Sequence, residues 1–157
     1  MGDSYFAVNS GFGFLPPLYV PDRAEEKRTA MPVTRIAIGQ GKTTAWKQAV
    51  LDEIHEAIKE TVHIADGDRF MALTEHGGGE LAYGDFLGID RTGDLVQIQI
   101  FWAPKPLDAK LAMYRRIVER LGKNPGVRPG DVLISVVESP AENWSFGNGE
   151  AQFHQPT

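Results

Sequence analysis

The chain has no cysteine, which removes disulfides, thiol catalysis and cysteine-ligated zinc from consideration and fits a reducing, cytoplasmic setting. It has no unbroken apolar run of the length a bilayer demands, so neither a transmembrane helix nor a membrane partner is expected. Basic charge is scarce. Lys and Arg number 16 against 21 Asp and Glu, a formal net charge of −5, and nucleic acid is not expected as a partner because phosphate binding draws on clustered cations. No basic start precedes a continuous apolar core, so a signal peptide is not expected either. Gly11, Gly13, Pro16, Pro17 and Pro21 interrupt the aromatic residues near the start, and a polar stretch from Asp22 to Arg28 follows. Residues 1–30 therefore read as an irregular arm, and residues 31–157 as one domain long enough to bury a core.

What is present is a strand-helix-strand pattern used twice. Val33–Ile38 alternates as a strand, Gly39-Gln40-Gly41 turns the chain, and Thr43 or Thr44 caps a helix running to about Glu60. Trp46, Ala49, Val50, Ile54, Ala57 and Ile58 recur there at helical spacing. Asp66-Gly67-Asp68 marks a turn before a strand over Arg69–Glu75, and Phe86–Asp90 reads as a short strand or hairpin arm. Leu95–Trp102 is a strand with Val96, Ile98, Ile100 and Trp102 on one face and Gln97 and Gln99 on the other. A helix follows from Asp108 to Leu121, then a strand over Val132–Val137. Gly67-Asp68 and Gly130-Asp131 occupy equivalent places in the two units. Each helical crossover makes its two strands parallel. The expected fold is α/β, an α+β sandwich of two βαβ units with a four-stranded sheet and both helices on one face. The other face is expected to carry large apolar residues that oligomerisation buries.

Met31-Pro32 opens the first strand. With Met31 removed, Pro32 carries a free secondary amine that titrates near neutrality; preceded by Met31, its nitrogen is an amide without basicity. The amine is a catalyst for proton transfer, and the amide is a strand-entry proline.

Met31-Pro32, Asp68-Arg69-Phe70, Thr74-Glu75-His76 and Asn143-Trp144-Ser145-Phe146-Gly147-Asn148-Gly149 together resemble the tautomerase superfamily. The nearest group is that typified by malonate semialdehyde decarboxylase, and the resemblance runs from Met31 to Phe153. It implies a homotrimer and an N-terminal proline, Pro32, as catalytic acid or base with Asp68 as its helper. It also implies two basic residues after the third strand that hold a substrate carboxylate. Decarboxylase members have arginine-proline-arginine there and this chain has Ala103-Pro104-Lys105, so one position keeps only its charge.

Lys105 and Lys42, each in a strand-to-helix turn, are the substrate-binding candidates, weighed against ordinary solvated lysines. Asp68 is weighed against a turn aspartate that binds local amides. Arg35 is expected in a cross-strand ion pair. His55, His63, His76 and His154 are scattered without a paired carboxylate motif, so no metal is expected. Gly39-Gln40-Gly41-Lys42-Thr43 lacks the spacing of a nucleotide loop. Trp144 and Phe146 read as pocket wall or interface, in a segment that could form a small hairpin against a neighbouring subunit. The function expected is a tautomerase of small enolic or 2-oxo carboxylic acids that needs no cofactor, with hydration or decarboxylation as side activities. The alternative is a catalytically inactive, oligomeric binding protein of the same fold, as an internal Pro32 would dictate.

Overall fold

The structure is a computed structural model that describes residues 32–153; the expected arm, Met31 and His154 lie outside the described residues. Four strands, β1 (Val33–Gly39), β2 (Phe70–His76), β3 (Val96–Trp102) and β4 (Val132–Glu138), form one sheet in the order β2-β1-β3-β4. Helices α1 (Thr44–Val62) and α2 (Leu107–Lys123) cross between β1 and β2 and between β3 and β4. Both crossovers join parallel strands, as expected, while the two units meet through an antiparallel pairing of β1 with β3. Among the described residues no helix is long and apolar enough to cross a membrane.

The alternation of each strand decides which layer its residues join. Ile36 and Ile38 of β1 and Val96, Ile98, Ile100 and Trp102 of β3 are buried beneath the helices. They meet Val50, Ile54, Ala57 and Ile58 from α1 and Met113, Ile117 and Leu121 from α2 in one core. Thr43 caps α1 by accepting the Trp46 N–H at 3.1 Å. Arg120 ties the helices together through Glu53 at 2.8 Å and Glu60 at 2.9 Å, and Arg116 adds a second contact to Glu60.

The opposite face carries large apolar residues, as expected, around a polar centre. Phe70, Leu133 and Val137 are apolar and exposed at its two edge strands, but its centre is Arg35 and Ala37 of β1 flanked by Gln97 and Gln99 of β3. The 86–90 segment is not a strand: Phe86–Gly88 is a 3₁₀ turn in which Leu87 holds a positive φ of 58°. That left-handed backbone cannot continue a β ladder.

The two turn aspartates are also not equivalent. Asp131 is fully buried and accepts the Thr92 N–H at 2.6 Å and the Thr92 hydroxyl at 2.8 Å, pinning the loop before β3 to the start of β4. Burial pushes its carboxyl up, but the Thr92 bonds outweigh that and hold it below the ordinary carboxylate range. Its stabilising contribution is therefore complete above about pH 4 and lost as pH falls through the depressed native value. Asp131→Ala should cost about 1–3 kcal/mol at neutral pH, since it strands two partly buried donors of Thr92. Denaturant titrations should show the gap to wild type narrowing below about pH 4; an undiminished gap in acid would deny the carboxylate this role.

Candidate active site

Register alone gathers most of the candidates. Val33 pairs with Phe70 on one side and with Phe101 on the other. Pro32, one residue before Val33, therefore sits where β2 begins and β3 ends. Asp68 is in the turn that enters β2. Ala103-Pro104-Lys105 leaves β3, and Glu138 pairs with Trp102 to close the same end. Thus Pro32, Asp68 and Lys105 come to one end of the sheet from three separate strand termini.

Lys42 does not join them. It follows β1 at the other end of the sheet, in a 2.5 Å ion pair with Asp94 and with its ammonium 5.0 Å from the Trp46 ring centroid. Seven strand residues separate the two ends, or about 20 Å at ~3.3 Å per residue, so within one chain Lys42 cannot hold a molecule that Pro32 touches. Both lysines occupy strand-to-helix turns, but β1 and β3 run in opposite directions, so those turns emerge at opposite ends.

Asp68 remains lightly engaged. Its N–H donates to the Ala65 carbonyl at 3.0 Å, and its carboxylate accepts the Ala65 N–H only at a long 3.4 Å. Its neighbour Arg69 is committed to Asp52 on α1 at 2.6 Å, a bond that holds the Asp52 carboxyl below its usual range. Lys105 is anchored through its backbone, whose N–H donates to Glu138 at 3.0 Å; Lys110 donates to the same oxygen at 2.9 Å. Those two donors, the Lys105 amide first, lower the Glu138 carboxyl. The Lys105 ammonium lies 5.3 Å from the ring centroid of Trp102, on the helix side of the sheet. Glu138 escaped the sequence reading; the one local sign of it is a charge at a position whose strand neighbours Ile134 and Val136 face the helices.

The residues after β4 roof this end of the sheet. A 3₁₀ turn, Ala141–Asn143, takes the place of the expected hairpin, and the Trp144 indole N–H donates to the Ser139 carbonyl at 3.2 Å. Trp144 and Phe146 stack with centroids 5.4 Å apart and planes 4° apart. Phe146 meets Phe153 edge-on at 5.1 Å and Phe70 at 6.4 Å. Because Trp144 starts beside β4 and Phe70 belongs to β2, the segment crosses above β3 and β1. A cavity of about 330 Å³ lies beneath it, lined by Val33, Arg35, Phe101, Ser139, Asn143 and Trp144.

None of the described histidines lines the cavity beneath the roof. His55 is buried on α1, where burial first and the charge of Arg69 second push its imidazole down. His63 caps α1 in a left-handed conformation, φ 56°, and His76 is the last residue of β2, at the far end. Among the described residues no three His, Asp or Glu side chains group as a metal site would require.

A protein-family model described as a tautomerase enzyme matches residues 68–147. A probable tautomerase of Bacillus subtilis (strain 168), YrdN, is 32% identical over 124 residues, which are 78% of this chain and 96% of that protein. The crystal structure of malonate semialdehyde decarboxylase, solved to explain its decarboxylase and hydratase activities, superposes with a TM-score of 0.74 at 28% identity. It covers 77% of this chain and 95% of the other. A fused 4-OT that forms a symmetric trimer shares the fold with a TM-score of 0.60 at 17% identity, over 75% of this chain and 94% of its own.

The aromatic roof is testable apart from any activity. Phe146→Ala removes the ring that joins Trp144 to Phe70 and Phe153, contacts worth about 0.5–1.5 kcal/mol each. Residues 144–153 should become the first site of limited proteolysis, and tryptophan emission should shift to the red. Unchanged cleavage and emission would mean the rings touch without holding the segment.

Proposed function

The chain belongs to the tautomerase family of isomerase-type enzymes, and we propose that it interconverts the enol and keto forms of small 2-oxo carboxylic acids, with Pro32 as the base and acid. The observation that carries this reading is that register brings Pro32, Asp68 and Lys105 to one end of the sheet, where an aromatic segment roofs the open side. In the proposed reaction the neutral amine of Pro32 takes the enol hydroxyl proton and, as the ammonium, returns a proton to the neighbouring carbon. A secondary amine near neutrality suits both steps because each protonation state is populated at working pH. Asp68, with little else to bind, positions the reacting hydroxyl or a water. Lys105 contributes positive potential where charge gathers on the enolate oxygen.

Hydration or decarboxylation at the same centre would need water placed by Asp68 or a firmly held carboxylate. The Ala103-Pro104-Lys105 turn offers less grip on a carboxylate than two arginines would. We propose that the polar-centred open face of the sheet is covered by two further copies of the chain in a homotrimer; the trimeric fused 4-OT supports that only at the level of the fold.

The mechanism requires Pro32 to bear a free amine. Intact mass and N-terminal sequencing of the protein made from its own gene should give a mature chain that begins at Pro32. That chain should accelerate ketonisation of an enolic 2-oxo acid, followed by loss of enol absorbance. Borohydride with pyruvate should add one adduct mass at Pro32. Pro32→Ala should lower kcat/KM by about 10²–10⁴-fold, the usual worth of a positioned acid or base. A chain retaining residues before Pro32 should be inactive. Equal activity in that longer chain would exclude amine catalysis. A Pro32-first chain without activity would leave the fold as an oligomeric binding protein.

A further inference from the structure

We propose that Arg35 grips the substrate carboxylate at this site, in place of the cation that position 103 lacks; the inference rests on the acid-base reading above and names the substrate as a small 2-oxo or enolic monocarboxylate. The expected cross-strand ion pair is absent. On β1 the neighbours of Arg35 in register are Gln99 and Ala72, neither of them charged, and among the described residues no carboxylate lies within ion-pair distance of its guanidinium. A cation left without an anion on a strand, when most Lys and Arg side chains on the helices have one, is available to a ligand.

Its direction decides which ligand. The guanidinium carbon sits 5.6 Å from the ring centroid of Phe101. Phe101 pairs with Val33, not with Arg35. The side chain therefore lies back along the strand by about two residues, roughly 6.6 Å at ~3.3 Å per residue, and its charge reaches the level of the residue next to Pro32. There it lines the 330 Å³ cavity beneath Trp144. On its other side it lines a larger cavity of about 640 Å³, together with Thr74, His76, Gln97 and Gln99.

The stack on Phe101 also prepares the group chemically. A guanidinium held against a ring face keeps its N–H donors in the plane, where they match the two oxygens of a carboxylate. Lys105 approaches from the helix side of the sheet, over Trp102, whereas Arg35 approaches from the open side. A 2-oxo acid with its carboxylate on Arg35 would lay its planar carbon skeleton between Phe101 and Trp144, with the reacting oxygen toward Pro32.

The test is a calorimetric titration of the mature, Pro32-first chain with pyruvate, with methyl pyruvate as the uncharged control and ketonisation of an enolic 2-oxo acid followed in parallel. Arg35→Ala should weaken pyruvate binding tenfold to a hundredfold, Arg35→Lys less, and neither should alter the affinity for methyl pyruvate. Size-exclusion elution of both variants should match wild type, so that weaker binding reports the lost guanidinium and not a lost contact between copies; a changed elution would make Arg35 an assembly residue and overturn the proposal. Unchanged pyruvate affinity in Arg35→Ala, an equal loss for the ester, or no pyruvate binding by the wild-type chain would each overturn the proposal. Pro32→Ala in the same titration separates the two ideas. Retained pyruvate binding without turnover upholds both, and retained turnover sinks proline catalysis while the carboxylate grip stands on the binding data alone.

Discussion

Antiparallel pairing of β1 with β3 is the constraint on which the rest of this molecule depends. Each βαβ unit brings its own two strands together with parallel sense, so each unit alone has its strand starts at one end and its strand ends at the other. Joining the units head to tail through β1 and β3 brings the start of the first unit against the finish of the second. Pro32, Asp68, Lys105 and Glu138 stand at one end of the sheet for that reason. A parallel join would have placed Lys105 beside Lys42, at the end of the sheet away from Pro32.

The chain treats its two layers differently. On the helix side, burial is nearly complete and charges are matched, with Arg116 and Arg120 bridging the two helices to Glu53 and Glu60 at the layer's outer surface. Ion pairs so exposed to water add little each, but they leave few helix charges without an anion. On the open side the pattern inverts. Phe70, Leu133 and Val137 are apolar on the edge strands, Arg35, Gln97 and Gln99 are polar at the centre, and among the described residues Arg35 has a ring beneath it and no carboxylate within ion-pair distance.

The aromatic roof ties a loop to the sheet. Trp144, Phe146, Phe153 and Phe70 bring a Gly-rich segment, with little regular structure of its own, back across the Pro32 end. Gly147 and Gly149 hold positive φ values of 148° and 73°, conformations that cost glycine little and other residues more. Apolar rings over the cavity that Arg35 lines lower the local dielectric there and strengthen the electrostatics beneath them.

Period determined the elements: alternation in Val33–Ile38 and Leu95–Trp102, and helical recurrence from Trp46 to Ile58, are properties of neighbouring residues and can be read without a fold. The layer each residue joins follows from the same alternation, and so does the repeat of the βαβ unit. Where chemistry gathers was not legible in that way. Asp68 and Asp131 stand in matching turns, yet one accepts a single long bond and the other is sealed in the core against Thr92, because only the second has a loop packed over it. Lys42 and Lys105 stand in matching turns and are carried to opposite ends by strand direction. Arg35 reads as half of an ion pair until the register sets Gln99 and Ala72 beside it. Local pattern thus determined what each segment is, because period and turn chemistry act between residues close in sequence. Only the tertiary structure decided which segments face each other, because that depends on pairing across dozens of residues that no local pattern encodes.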